Sequence, residues 1–202
     1  MVNSSDEDDE EKSSLDNLVY QLFEFINILK EKSRYKVTLK KAIDELCYYA
    51  IIYMQITEEQ IESWTQNPEQ FVQDEDEDSY SYSVRISSQE LVEGIANDFK
   101  NETANAVCKA ISRHMEYAQK LRAAHNPHWW KIHEACLLSV SSLKPMLEEL
   151  SAADKLEFDL NAFVNQFVVA CLHEADFPFL VGRALFTASR FSKLLNAQIL
   201  ET

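Results

Sequence analysis

Glycine and proline are nearly missing. Two glycines and four prolines in 202 residues cannot punctuate the many tight turns of a sandwich or barrel, and they leave no glycine-rich loop to cradle a phosphate. Long apolar runs are missing too: none approaches the roughly 20 residues that span a bilayer. The opening Met1-Val-Asn-Ser-Ser-Asp-Glu has neither the basic nor the apolar region of a signal peptide. These absences point to an all-helical intracellular chain without membrane insertion. Cysteine is sparse and scattered. Cys47, Cys108, Cys136 and Cys171 lie 61, 28 and 35 residues apart with no C-x-x-C pair, so they are expected to be reduced core thiols.

Basic residues are also in deficit, 19 Lys and Arg against 34 Asp and Glu, a net charge of -15. Two tracts hold most of the excess: six carboxylates from Asp6 to Glu11, and five from Asp74 to Asp78. Such a chain repels phosphate backbones and anionic lipid, which argues against direct nucleic-acid contact and for basic protein partners. What is present folds. Hydrophobic residues make up 46% of the chain, enough in this length to bury a core.

Residues 1–14 read as a disordered acidic tail and 15–202 as helices. Leu15, Leu18, Val19, Leu22, Ile26 and Leu29 repeat at three and four residues, one stripe on a first helix. A second helix carries Val37, Ile43, Leu46, Cys47, Ala50 and Met54 after a break at Ser33 to Tyr35. Thr57-Glu-Glu-Gln60 fits a capping box opening a short helix with Ile61 and Trp64. Residues 69–86 carry no helical stripe and read as a long exposed acidic loop, of the kind that is usually functional or disordered. Ser87-Ser-Gln-Glu90 reads as a second capping box, Asn101 as the cap of the next helix, and Asn126-Pro127 as a cap with proline in the first turn. Asp159 and Pro178 open two more helices. Successive helix pairs spaced by about 40 residues are what HEAT or armadillo repeats look like, with an irregular all-α domain as the alternative.

Chemistry-bearing motifs fall short. His133-Glu134 and His173-Glu174 each begin H-E, but Leu137 and Phe177 stand where a zinc-protease motif needs its second histidine. His125 and His128 lack a third ligand, and no nucleophile elbow or triad order is present. No catalytic, metal or cofactor site is expected. Trp129 falls on an apolar stripe with Ile132 and Cys136, whereas Trp130 could face a partner. Asp74, Glu75, Asp76, Glu77 and Asp78 differ from the first tract because Phe71-Val72 and Tyr80, Tyr82 and Val84 flank them. They read either as a cation-binding surface or as a solvated linker.

Several segments resemble importin-9-like karyopherins of the importin-β superfamily: Tyr53 to Trp64, Asn67 to Asp78, Ser81 to Ser87, His128-Trp-Trp-Lys-Ile-His-Glu-Ala-Cys136, and Pro178 to Phe191. The Trp64, Pro68, Phe71 element and the Arg183 helix are similar across many importins. The Met54 to Gln60 run and the acidic loop are similar to the narrower group. The resemblance covers roughly 15–200 and implies about four HEAT-like helix pairs in a right-handed solenoid, with the acidic loop interrupting the second pair. It implies no enzymatic activity and no cofactor. It also implies import of basic cargo, such as core histones and ribosomal proteins, under control of the GTPase Ran, with nucleoporins as further partners and shuttling between cytoplasm and nucleus. Cargo contact would fall on Asp74, Glu75, Asp76, Glu77 and Asp78. Importins of this class are several times longer, so the chain reads as a piece from the N-terminal half to the middle of such an array. The competing reading is an acidic chaperone or adaptor that shields basic proteins without transporting them. A metal-dependent enzyme is a distant third.

Overall fold

The computed structural model describes residues 4–75 and 83–196, with side chains from residue 14 onward. Every regular element among them is helical. α1 (Ser4–Glu31) and α2 (Ser33–Tyr53) form a hairpin about Lys32. Two short helices follow, α3 (Glu58–Gln66) and α4 (Pro68–Asp74). Next come α5 (Val84–Asp98), α6 (Lys100–Ala123), α7 (Trp129–Ser142) and α8 (Lys144–Ala152). α9 (Leu160–Ala162) runs through a π-helical turn (Phe163–Val168) into α10 (Val169–Leu172), and α11 (Pro178–Arg190) follows.

The pairs stack in chain order. α1 lies on α5, α2 on α5 and α6, α6 on α7, α7 on α11, and α11 on α10. The result is an all-α HEAT-repeat solenoid segment: three helix pairs and the leading helix of a fourth. α7 sits in the middle of the stack, and for that reason every residue from Trp129 to Ser141 is buried. Trp130 is therefore core, stacked near Phe177 at 5.7 Å between ring centroids, and not a partner-facing surface. The spacing between equivalent positions of successive pairs is 49 residues at Arg85, Glu134 and Arg183, longer than the period of about 40 read from the sequence.

With so little glycine, helices end by other means. α6 and α8 close with His125 and Asp154 in the left-handed region, at φ 56° and 53°. The His125 N–H donates to Arg122 O and the Asn126 N–H to Leu121 O, while Asp154 donates to Ser151 O and Lys155 to Leu150 O. Both are Schellman closures, normally built on glycine because an L side chain is strained there. His125 thus has a backbone role at the end of α6.

Local signals succeeded where the hydrogen bond is local. Thr57 accepts from the Gln60 N–H at 3.2 Å while Gln60 Oε1 accepts from the Thr57 N–H at 3.0 Å, a complete capping box. Asp159 Oδ1 caps α9 through the Ala162 N–H, and Pro178 occupies the first turn of α11. Other expectations need correction. Ser83, not Ser87, caps α5, so Ser87 and Ser88 are buried inside that helix. α6 starts at Lys100 behind Phe99, and Asn101 makes no cap. Asn126 Oδ1 accepts from the His128 N–H ahead of α7, which begins only at Trp129. The helical backbone of α1 begins at Ser4, ahead of the Leu15 start read from the sequence. Residues 69–74 of the expected acidic loop belong to α4 and residues 84–86 to α5, and the insertion lies between the first and second pairs and does not interrupt the second. Asp76, Glu77 and Asp78 lie outside the described residues.

α1 buries only half of the stripe expected: Val19, Ile26 and Leu29 pack against the core, joined by Phe23. Leu15, Leu18 and Leu22 are 50–56% exposed, whereas Val19 and Phe23 are buried. Two overlapping apolar stripes share this helix, and periodicity cannot choose between them; contact with α2 and α5 does. Phe23→Ala should therefore cost about 3–5 kcal/mol, while Leu22→Ala should stay within about 0.5 kcal/mol. Urea unfolding of the two variants checks this.

Candidate functional site

The insertion between α2 and α5 folds back over the stack. The Trp64 ring, fully buried, meets Phe71 at 5.1 Å and Phe179 of α11 at 5.5 Å between centroids. Pro68 sets the first turn of α4, which carries Phe71 across to α11. There the ring lies over Gly182, where a Cβ would stand at contact distance, 3.4 Å from it. The Trp64, Pro68, Phe71 element is thus a strap reaching from the first helix pair to the leading helix of the fourth.

Asp74 ends that strap and is committed to it. Its carboxylate accepts from Trp64 Nε1 at 2.8 Å and from Gln70 Nε2 at 2.7 Å. Glu75, the next residue, bridges two guanidiniums: Arg85 Nη2 at 3.1 Å through Oε1, and Arg183 through Oε2. These two members of the expected cargo surface therefore point inward.

Glu75 joins a ladder of buried charge. Arg85 donates from Nη1 and Nη2 to the two oxygens of Glu134 at 2.8 and 2.6 Å, and its Nη1 also reaches the Met54 carbonyl at the end of α2. Arg183 Nε donates to Glu134 Oε1 at 2.9 Å. Glu134 has no exposed surface, and each arginine is 4% exposed. Burial pushes the Glu134 carboxyl upward while Arg85 opposes it, and burial lowers Arg183 to about 10, so the guanidinium stays charged at neutral pH. Removing one partner of such a set costs about 3–5 kcal/mol, because the others are left as uncompensated buried charges. Beside the ladder, the Ser141 and Thr187 hydroxyls meet at 2.9 Å and bind α7 to α11 again.

Exposed charges are matched in rows. Between α2 and the second helix pair, Lys36 meets Asp98 at 2.8 Å, Lys40 meets Glu102, Asp44 meets Lys109, and Glu45 meets Arg113 at 3.3 Å. Arg122 holds Glu174 with two hydrogen bonds and stacks its guanidinium on Trp129. Each exposed pair contributes about 0.2–1 kcal/mol. Their larger consequence is that they neutralise four acidic positions of this face locally.

The remaining motifs resolve into structure. All four cysteines are free and buried. Burial drives their thiols up, to about 12 for Cys47, Cys108 and Cys171, and higher still for Cys136. His133 packs its ring among Trp129 and Phe167, and burial together with nearby Arg122 lowers it to about 4. His128 Nδ1 faces Glu58 at 3.5 Å, which Lys131 also holds at 2.6 Å. Among the described residues no three His, Cys, Asp or Glu side chains converge as a metal would need, and no helix is long and apolar enough to cross a membrane. The residues that sequence reasoning missed are Arg85 and the true role of Glu134. The available signal was one charge recurring at 49-residue intervals on otherwise buried helix faces.

Comparison with known proteins agrees with this architecture. A family model described as Importin-9 central HEAT repeats matches residues 38–202. Importin-9 of Drosophila melanogaster is 33% identical over 202 residues, 99% of this chain and 19% of the relative. The chain thus spans about a fifth of that relative's length.

The buried His133 gives a pH signature. Its folded value of about 4 lies below the ordinary 6.5, so the unfolded chain takes up a proton that the folded chain refuses. Stability from this site is complete above pH 6.5 and is lost as pH falls toward 4. The loss between pH 7 and pH 5 is about 2 kcal/mol. His114 shifts in the same direction, so only part of the total slope belongs to His133. His133→Phe should shrink the pH 7 to pH 5 difference in urea stability by about that 2 kcal/mol, and an unchanged difference would refute the assignment.

Proposed function

The chain belongs to the importin-9 family, and from that premise we propose that it is a segment of a nuclear import receptor, one that holds basic cargo under Ran-GTP control. The cargo class is basic proteins such as core histones and ribosomal proteins. The receptor shuttles between cytoplasm and nucleus, with nucleoporins as its partners in passage. A solenoid offers such cargo a long surface whose curvature can change, so a GTPase that favours another curvature lowers cargo affinity by linkage.

The observation that carries this reading is the location of the acidic excess. The charges on the α2 and α6 face are paired with one another, so that face offers little net field. The tract at 74–78 has no base in its sequence, and it follows a strap fixed to the stack by Trp64 and Phe71. Asp74 and Glu75 serve the strap and the ladder. Cargo contact therefore falls to Asp76, Glu77 and Asp78, since Asp74 is held by Trp64 and Gln70 and Glu75 by the two arginines.

Asp76→Asn, Glu77→Gln and Asp78→Asn combined should weaken a histone dimer by about 1 kcal/mol, roughly fivefold in Kd, at low salt and by much less at high salt. Helical content should not change. Calorimetric titration at two ionic strengths reads this directly, and equal affinities at low salt would reduce the tract to a solubilising linker. In the full-length receptor, Ran-GTP should release the histone. Retention of histone with Ran-GTP bound would favour a chaperone that only shields its client.

A further inference from the structure

Charge accounting across the stack singles out Glu75. α5, α7 and α11 each place one ionisable side chain in the ladder at 49-residue intervals: Arg85, Glu134 and Arg183. Two guanidiniums and one carboxylate leave one positive charge in excess, in a place where neither arginine is more than 4% exposed. Among the described residues, α5, α7 and α11 bring Glu134 and no second carboxylate into ion pairs with Arg85 and Arg183. Glu75 supplies it from the end of α4 and brings the buried sum to zero.

Its geometry suits a clamp better than a passive neighbour. One carboxylate touches Arg85 of α5 with Oε1 and Arg183 of α11 with Oε2, so it spans the two helices that contribute the arginines on either side of Glu134. Glu75 is also the most exposed member of the ladder. Its side chain is 15% exposed, on the wall of a cavity of about 370 Å³ shared by α5, α7 and α11. Arg85, Arg183 and Glu134 belong to long helices, whereas Glu75 hangs on a seven-residue helix and can leave without unfolding a repeat.

We propose that Glu75 is a latch that sets the curvature of the array. Seated, it balances the ladder and holds α5 and α11 at one separation across α7. Unseated, it leaves two guanidiniums with one carboxylate between them, and the leading helices move apart until solvent can share the charge. Whatever draws the end of α4 away from the stack then changes the shape of the repeats. The inference concerns the array and holds whether or not the chain carries cargo.

Distances between nitroxide labels test it, with labels on the exposed positions Asn97 (α5) and Leu185 (α11), introduced by Asn97→Cys and Leu185→Cys in the full chain. The four native thiols are buried and take little label. The parent should give one narrow distance distribution. Glu75→Gln, with an excess of positive charge, should shift it to longer distance and broaden it. Arg183→Gln, with an excess of negative charge, should broaden it too. The double variant Glu75→Gln, Arg183→Gln has one arginine and one carboxylate and should recover the parent distribution, although it has lost more contacts than either single variant. A Glu75→Gln distribution like the parent's would overturn the latch, and so would a double variant broader than both singles. If Glu75→Gln does not fold, a folded double variant supports charge balance, and failure of both overturns it.

Discussion

A carboxylate with no exposed surface, set between two nearly covered guanidiniums, obliges the helices that bear these groups to keep their places. Leaving any member unpaired strands a charge in low dielectric, at a cost comparable to a large part of a domain's stability. Glu134 is that carboxylate, and Arg85 and Arg183 come from the neighbouring repeats on either side. Apolar stacking between helix pairs tolerates sliding, because it depends on area and has little directional preference. Hydrogen-bonded charge does not tolerate sliding. The ladder therefore fixes the register in which α5, α7 and α11 lie side by side, and through the Met54 carbonyl it reaches the end of α2 as well.

The strap depends on the same arrangement. Phe71 packs on the face of α11 at Gly182, and Glu75 needs Arg85 and Arg183 brought together by Glu134. An acidic tract that looks uniform in sequence thus divides by position. Its first two residues are part of the fold, and the cation-binding role proposed here falls to the three that follow.

Much of the fold was legible because helices are specified locally. The capping box at Thr57 and the cap at Asp159 depend on atoms three residues apart, and Pro178 marks a first helical turn by its own ring. The Trp64, Pro68, Phe71 element carried its family likeness in a short window. Legibility ended where two local answers competed. α1 has two apolar stripes, and only its neighbours decide between Leu22 and Phe23. Ser87-Ser-Gln-Glu90 has the letters of a capping box, yet Ser83 takes that role and Ser88 turns its hydroxyl to the Val84 carbonyl inside the helix. The ladder was hidden for a different reason. Its partners are 49 residues apart, Glu134 looked like half of a metal motif, and Glu75 was one charge within a run of five.

One balanced set of buried charges makes α5, α7 and α11 a single cooperative unit. Native-state hydrogen exchange in increasing denaturant measures this most directly, since each amide reports the free energy of the opening that exposes it. The slowest amides of the three helices should merge into one opening, with a shared free energy and a shared denaturant slope. Separate openings, with α11 released at a distinctly lower free energy while α5 and α7 stay protected, would contradict it.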